Sequence, residues 1–174
     1  MKKYDVCALG EILIDFTYSH NSERGMKLFE QNPGGAVANV LSAVSNLGGK
    51  SAFVGKVGDD MHGSFLIETL KGEGIDSSGV IVRKDAFTTL AFVSLNENGE
   101  RSFSFARKPG ADTLIEESEL PHDIIENTKV FHIGSLSLTD EPARTATFKA
   151  LEIAKAAGAV ITYDPNYRAM LWKN

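Results

Sequence analysis

The chain has 174 residues, 43% hydrophobic and 24% charged, with a formal net charge of −5, which suits one core, or one core plus a small accessory sheet. Lysine and arginine are scattered, so the sequence offers no basic face to nucleic acid or to an anionic membrane. No apolar run approaches the ~20 residues of a membrane-spanning helix, no secretory leader opens the chain, and the lone Cys7 forms no intrachain disulfide; a soluble cytoplasmic protein is expected.

In chain order, Tyr4 to Leu9 reads as a buried strand ending at Gly10. A second run, Glu11 to Tyr18, is apolar except for Asp15, and a polar stretch follows it. Pro33-Gly34-Gly35 then opens a helix in which Val37, Val40, Leu41, Val44 and Leu47 fall at helical spacing, with Gly48-Gly49 closing it. Ser51 to Val57 is a strand, and Asp60 is the N-cap expected for a helix over Met61 to Glu73. Val80-Ile81-Val82 is a further short strand.

The pattern then changes. Thr88 to Leu95 and Arg101 to Arg107 are β-prone and flank Asn98-Gly99, which predicts a hairpin in a small separate sheet. Alternation resumes with a strand over Val130 to Ile133 and a helix over Glu141 to Ala157, with Asp140 as its cap and Gly158 ending it. A last strand, Ala159 to Tyr163, leads into Asp164-Pro165-Asn166-Tyr167-Arg168. Strands alternating with helices predict an α/β fold with a mostly parallel sheet, and such sheets bind ligands at the carboxyl ends of their strands.

Several residues are candidates for chemistry. Asp15 in an apolar strand is desolvated unless something binds it, and its two oxygens suit adjacent sugar hydroxyls; strand-end hydrogen bonds are the competing explanation. Gly34 and Gly35 at a helix start let a ligand approach backbone amides, with Asn39 one turn further on, although a plain tight turn has the same signature. Phe103, Phe105 and Arg107, two apart, share a face, with Arg101 extending the row; the phenylalanines equally suit the small sheet's own core or a partner chain. Asp164, Asn166 and Arg168 leave the last strand as a carboxylate, an amide and a guanidinium. The histidines and the single cysteine have no metal-ligand spacing, and no Walker A, dinucleotide or nucleophile-elbow motif occurs.

Together these residues resemble the ribokinase-like, or phosphofructokinase-B type, carbohydrate kinases. The resemblance rests on Gly10-Glu11 with Asp15, on Gly34-Gly35-Ala36-Val37-Ala38-Asn39 with Gly48, Gly55, Gly58 and Asp59-Asp60-x-x-Gly63, and on Asp164-x-Asn166-x-Arg168-x-x-Leu171-Trp172. It spans the whole chain. The stretch from Phe103 to Asp112 is most similar to fructokinases, with 2-keto-3-deoxygluconate kinases near and Ala106 standing where fructokinases often carry tyrosine.

The resemblance implies a three-layer α/β/α fold with a small β-sheet lid, its strands at about 12–30 and 87–108. It implies transfer of the ATP γ-phosphate to a sugar, with Mg²⁺ and a monovalent cation such as K⁺ as cofactors. Asp15, Gly34, Gly35 and Asn39 would hold sugar hydroxyls. Phe105 and Arg107 would belong to the lid, Arg168 would support the sugar or the transferring phosphate, and Asn166 would face the nucleotide. A lid-mediated homodimer is also implied. The Gly-Ala-Gly-Asp segment that supplies the family's base is absent, so residues 1–174 are expected to be the sugar-binding, N-terminal portion of a kinase, inactive alone. Ribokinase activity and a non-catalytic sugar-binding module are the alternatives.

Overall fold

The computed structural model describes residues 2–95 and 101–172. Five strands form a wholly parallel sheet in the order β5-β4-β1-β8-β9: Asp76–Arg83, Ser51–Gly58, Tyr4–Leu9, Thr128–Gly134 and Val160–Asp164. Helices α1 (Ala36–Asn46) and α2 (Met61–Gly72) pack on one face, burying Ala8, Val37, Leu41, Phe53, Leu66 and Leu70. On the other face, α3 (His122–Glu126) and α4 (Ala143–Ala156) cover Cys7, Leu9, Ile125, Phe131 and Ile133. The result is the expected three-layer α/β/α arrangement. Cys7 is fully buried, and desolvation pushes its thiol far above the usual range.

A second sheet of four strands stands beside the carboxyl ends of the first, in the order β3-β2-β6-β7. Strand β2 (Leu13–Asn21) runs antiparallel to β3 (Lys27–Gly34) and parallel to β6 (Leu90–Leu95), which pairs antiparallel with β7 (Arg101–Ala106). Strand β3 falls in the stretch that the residues alone mark only as polar, though the resemblance implies lid strands over about 12–30. Most of its residues are exposed, so the alternation that marks a half-buried strand is missing. The Asn98-Gly99 turn lies outside the described residues.

Asp60 caps α2 as expected, its side chain accepting from the His62 and Gly63 amides. It also accepts from the Thr88 amide and hydroxyl, tying the helix start to the root of the lid. Asp140 does not cap α4. That helix begins at Ala143 after Pro142, and it is the Glu141 carboxylate that accepts from the Thr145 amide.

No helix among the described residues is long and apolar enough to cross a membrane.

Candidate active site

The main sheet grows outward from β1 in both directions, through β4 and β5 on one side and β8 and β9 on the other. The crevice between the carboxyl ends of β1 and β8 is therefore the topological switch point, where open α/β sheets take their ligands. A cavity of about 120 Å³ lies there, lined by Glu11, Leu13, Asp15, Gly35, Ala36, Asn39, Asn166 and Arg168, with Phe103 and Phe105 reaching in from the lid.

Asp15 is half-buried on β2, opposite Asn32 and Ala91 in the register. Its carboxylate has no hydrogen-bond partner among the described residues. Burial raises its pKa above the ordinary 3.8, while the Arg168 charge pulls the other way. Gly34 rests against it, and a β-carbon at that position would collide with Asp15 Oδ2. Gly35 sits at φ 117°, a conformation that favours glycine, and the Glu11 carbonyl leaves no room there for a side chain. Asn39 is exposed one turn into α1, its amide bonded to Gly35 O at 3.0 Å.

Beyond β9, the Asp164 carboxylate accepts from the Asn166 amide at 3.0 Å and holds Asn166 at φ 26°, a left-handed conformation that asparagine tolerates. This turn delivers Arg168 to the cavity, its guanidinium 5.5 Å from the centre of the Phe103 ring. Phe103 and Phe105 stack with centroids 6.1 Å apart and share the inner face of the lid with Asp15.

Arg107 does not join that face. Strand β7 ends at Ala106, and Arg107 turns inward, its side chain 2% exposed and paired with Asp112 at 2.7 Å. It also donates to Thr139 Oγ1 and to the Leu136 carbonyl, while Thr89 donates to Asp112. Arg107 therefore bolts the base of the lid to the turn after β8. The side chain of Arg101 lies outside the described residues.

Sequence reasoning named every polar residue of the cavity wall except Glu11, which it quoted only as part of a motif. Its signal was its place just past the first strand, after Gly10.

Three larger cavities lack such convergence; one of them, of about 500 Å³, is an open surface hollow at the β2–β3 turn beside His20, Glu23 and Arg24. Another, of about 530 Å³, lies at the opposite end of the sheet, near Lys3, Lys50, Lys71 and Asp76. There the carboxyl ends of α1 and α2 meet, and lysines near a helix C-terminus complement its dipole. The third, of about 470 Å³, lies behind the lid base, against Pro109, Leu114 and Trp172. Among the described residues no group of His, Cys, Asp and Glu side chains is arranged to hold a metal ion.

A parallel α/β sheet with a carboxylate-lined cavity at its switch point, beneath a separate small β-sheet, is the arrangement in which open α/β sheets take their ligands. Residues 3–174 match the family described as pfkB family carbohydrate kinase, and the chain belongs to that family. It is 49% identical to a probable fructokinase-5 of Arabidopsis thaliana over 172 residues, covering 96% of this chain and 52% of the relative. To a fructokinase of Solanum tuberosum it is 51% identical, covering 97% and 54%. A fructokinase structure from Xylella fastidiosa superimposes with a TM-score of 0.93 at 42% identity, over 100% of this chain and 54% of that one. The same organism's fructokinase with bound ATP gives 0.91 at 41%, over 100% and 52%. The chain thus spans about half the length of the relatives it matches.

Proposed function

We infer that this chain is the sugar-holding part of an ATP-dependent carbohydrate kinase acting on fructose. The observation that carries the reading is the half-buried carboxylate of Asp15 at the switch point, without a hydrogen-bond partner among the described residues and facing aromatic lid residues. Asp15 and Asn39 hold sugar hydroxyls, the Gly34-Gly35 turn lets the ring approach the backbone, and Phe103 and Phe105 close over it and exclude water. A sugar hydroxyl attacks the γ-phosphorus, its bond to ADP breaks, and the hydroxyl proton passes to a base. The resemblance puts that base in a Gly-Ala-Gly-Asp segment, which residues 1–174 do not contain.

ATP with its Mg²⁺ supplies the phosphoryl group and part of its charge neutralisation. Asn166 and Arg168 are the groups of this chain that would meet phosphate oxygens, and positioning plus charge stabilisation is most of what phosphoryl transfer asks of a protein. A monovalent cation remains part of the reading with no residue here assigned to it, and a cytoplasmic location agrees with the buried free thiol of Cys7. The fructokinase relatives favour fructose over ribose and 2-keto-3-deoxygluconate. Calorimetry with each sugar, and with ATP separately, tests this. Heat with fructose supports it, and no heat with any sugar overturns it.

The lid's other face supports pairing with a second copy. Phe16 stacks on Phe92 with centroids 5.2 Å apart and Phe29 meets Phe92 edge-on at 5.9 Å. Phe29 and Phe92 are each 39% exposed and the adjoining Phe87 is 52% exposed. An aromatic face of this kind is costly to leave in water. Phe92→Glu should convert a dimer to a monomer in light scattering; a wild-type monomer at micromolar concentration would exclude the pairing.

A further inference from the structure

Glu11 stands just beyond the end of β1, after Gly10, at the switch point and is 2% exposed. Its Oε1 accepts from the Ala36 amide at 2.7 Å, at the start of α1. Its Oε2 is buried with no hydrogen-bond partner among the described residues. The main chain of Glu11 closes the space beside Gly35, so this residue constrains the glycine turn from both its carbonyl and its side chain. Glu11, Gly35, Ala36 and Asp15 line the same cavity.

A buried carboxyl with one oxygen unsatisfied is costly, and its helix-start contact alone could be made by a neutral side chain. We propose that Glu11 is a positioning residue of the sugar cavity, fixing the Gly34-Gly35 turn against Asp15 through the Ala36 amide and taking up a proton from solvent when sugar fills the cavity. This rests on the carbohydrate reading above.

Desolvation, the largest influence, pushes the Glu11 carboxyl from 4.5 up to about 7, and Asp112 adds to the rise while the Ala36 hydrogen bond and Arg107 oppose it. The charged groups facing it are Asp112 and Arg107 at the lid base, with Asp15 and Arg168 in the cavity. The neighbouring start of α1 and end of β8 bring Gly35, Ala36 and Gly134, which do not titrate, and His132 turns instead to Thr162 of β9 at 2.9 Å.

The sign follows from burial. Glu11 is already out of direct contact with water, so a sugar acts on it by replacing the polarisable water of the adjoining cavity, which raises the cost of its charged form and makes the bound state hold the proton more tightly than the free state. Affinity is then full below the free-state pKa and falls as pH rises through about 7 and above.

The test is calorimetry of fructose binding between about pH 6 and pH 8.5, in two buffers of different ionisation heat. Wild type should take up a fraction of a proton, and its Kd should weaken by about tenfold across that range. Glu11→Gln keeps an acceptor for Ala36 and cannot titrate. It should match wild type within about twofold at the acid end and show neither proton uptake nor a pH slope. Glu11→Ala, confirmed folded by its melting transition, should bind about tenfold or more weakly throughout, since the Ala36 amide loses its acceptor.

A Glu11→Gln profile identical to wild type overturns the proposal, as does wild-type affinity in folded Glu11→Ala. Failure of wild type to bind any sugar at any pH overturns the carbohydrate reading itself and this inference with it.

Discussion

Asp15→Ala is expected to weaken fructose binding by roughly a hundredfold or more, because hydrogen bonds to a charged acceptor contribute about 1.5–3 kcal/mol each and the carboxylate can accept from two adjacent hydroxyls. Two lost bonds at the lower figure give about 3 kcal/mol, a little over two factors of ten. The expectation is specific because Asp15 has no hydrogen-bond partner among the described residues, so its removal orphans nothing. Its half-burial is itself a cost. Burial raises its pKa and only the Arg168 charge opposes this, so the fold gains nothing from the carboxylate that alanine would forfeit. Melting temperature should therefore stay constant or rise while affinity collapses. Asp15→Asn keeps the shape but can only accept at one atom, and should fall between the two. Calorimetric Kd values beside thermal melts decide the matter: unchanged affinity in a folded Asp15→Ala protein removes Asp15 from the site.

The same carboxylate gives the acid limb of a pH profile. Its pKa is raised above 3.8 by burial, so binding that needs the ionised form is lost as pH falls through that raised value. With Glu11 titrating at the alkaline side, fructose affinity should peak in mildly acid solution. Two carboxyl groups in one cavity with separated titrations produce a bell.

Much of this was legible before any coordinates, for physical reasons that differ by element. The parallel strands and long helices announce themselves because both faces or one clear stripe are buried, which forces apolar runs and helical spacing. Asp15 stood out because a charge inside an apolar strand needs an explanation. The pattern of strand β3 did not, and only the resemblance implied a lid strand there, because β3 is an exposed edge strand whose place is set by register with β2. Glu11 was hidden for the opposite reason. A glutamate beside a glycine looks like ordinary loop chemistry until α1 is brought against it. Arg107 misled because a period of two holds only while the strand lasts, and β7 stops one residue earlier. Its true partner, Asp112, lies five residues on, across a turn whose course the spacing does not encode.

That pair carries the second large expectation. Asp112→Ala should destabilise the fold by about 3–5 kcal/mol, the usual cost of leaving one charge of a buried pair uncompensated. Both side chains are 2% exposed, so water cannot substitute for the lost carboxylate. Arg107 would keep its bonds to Thr139 and Leu136, which holds the loss within that range, while Thr89 would lose its acceptor. At about 2–4 °C per kcal/mol for a chain of this size, the melting temperature should drop by roughly 10 °C.

Replacing both partners with apolar residues of similar volume, Arg107→Met with Asp112→Leu, should cost markedly less than the single change, because no charge is stranded. The double variant also separates the two roles Arg107 could have. A lid bolt replaced by packed side chains leaves fructose affinity near wild type, since neither Arg107 nor Asp112 lines the cavity. A sugar ligand, in contrast, would take its binding energy with it however well the core repacked. Affinity of the folded double variant within about threefold of wild type supports the bolt, and a loss comparable to that of Asp15→Ala would return Arg107 to the sugar site.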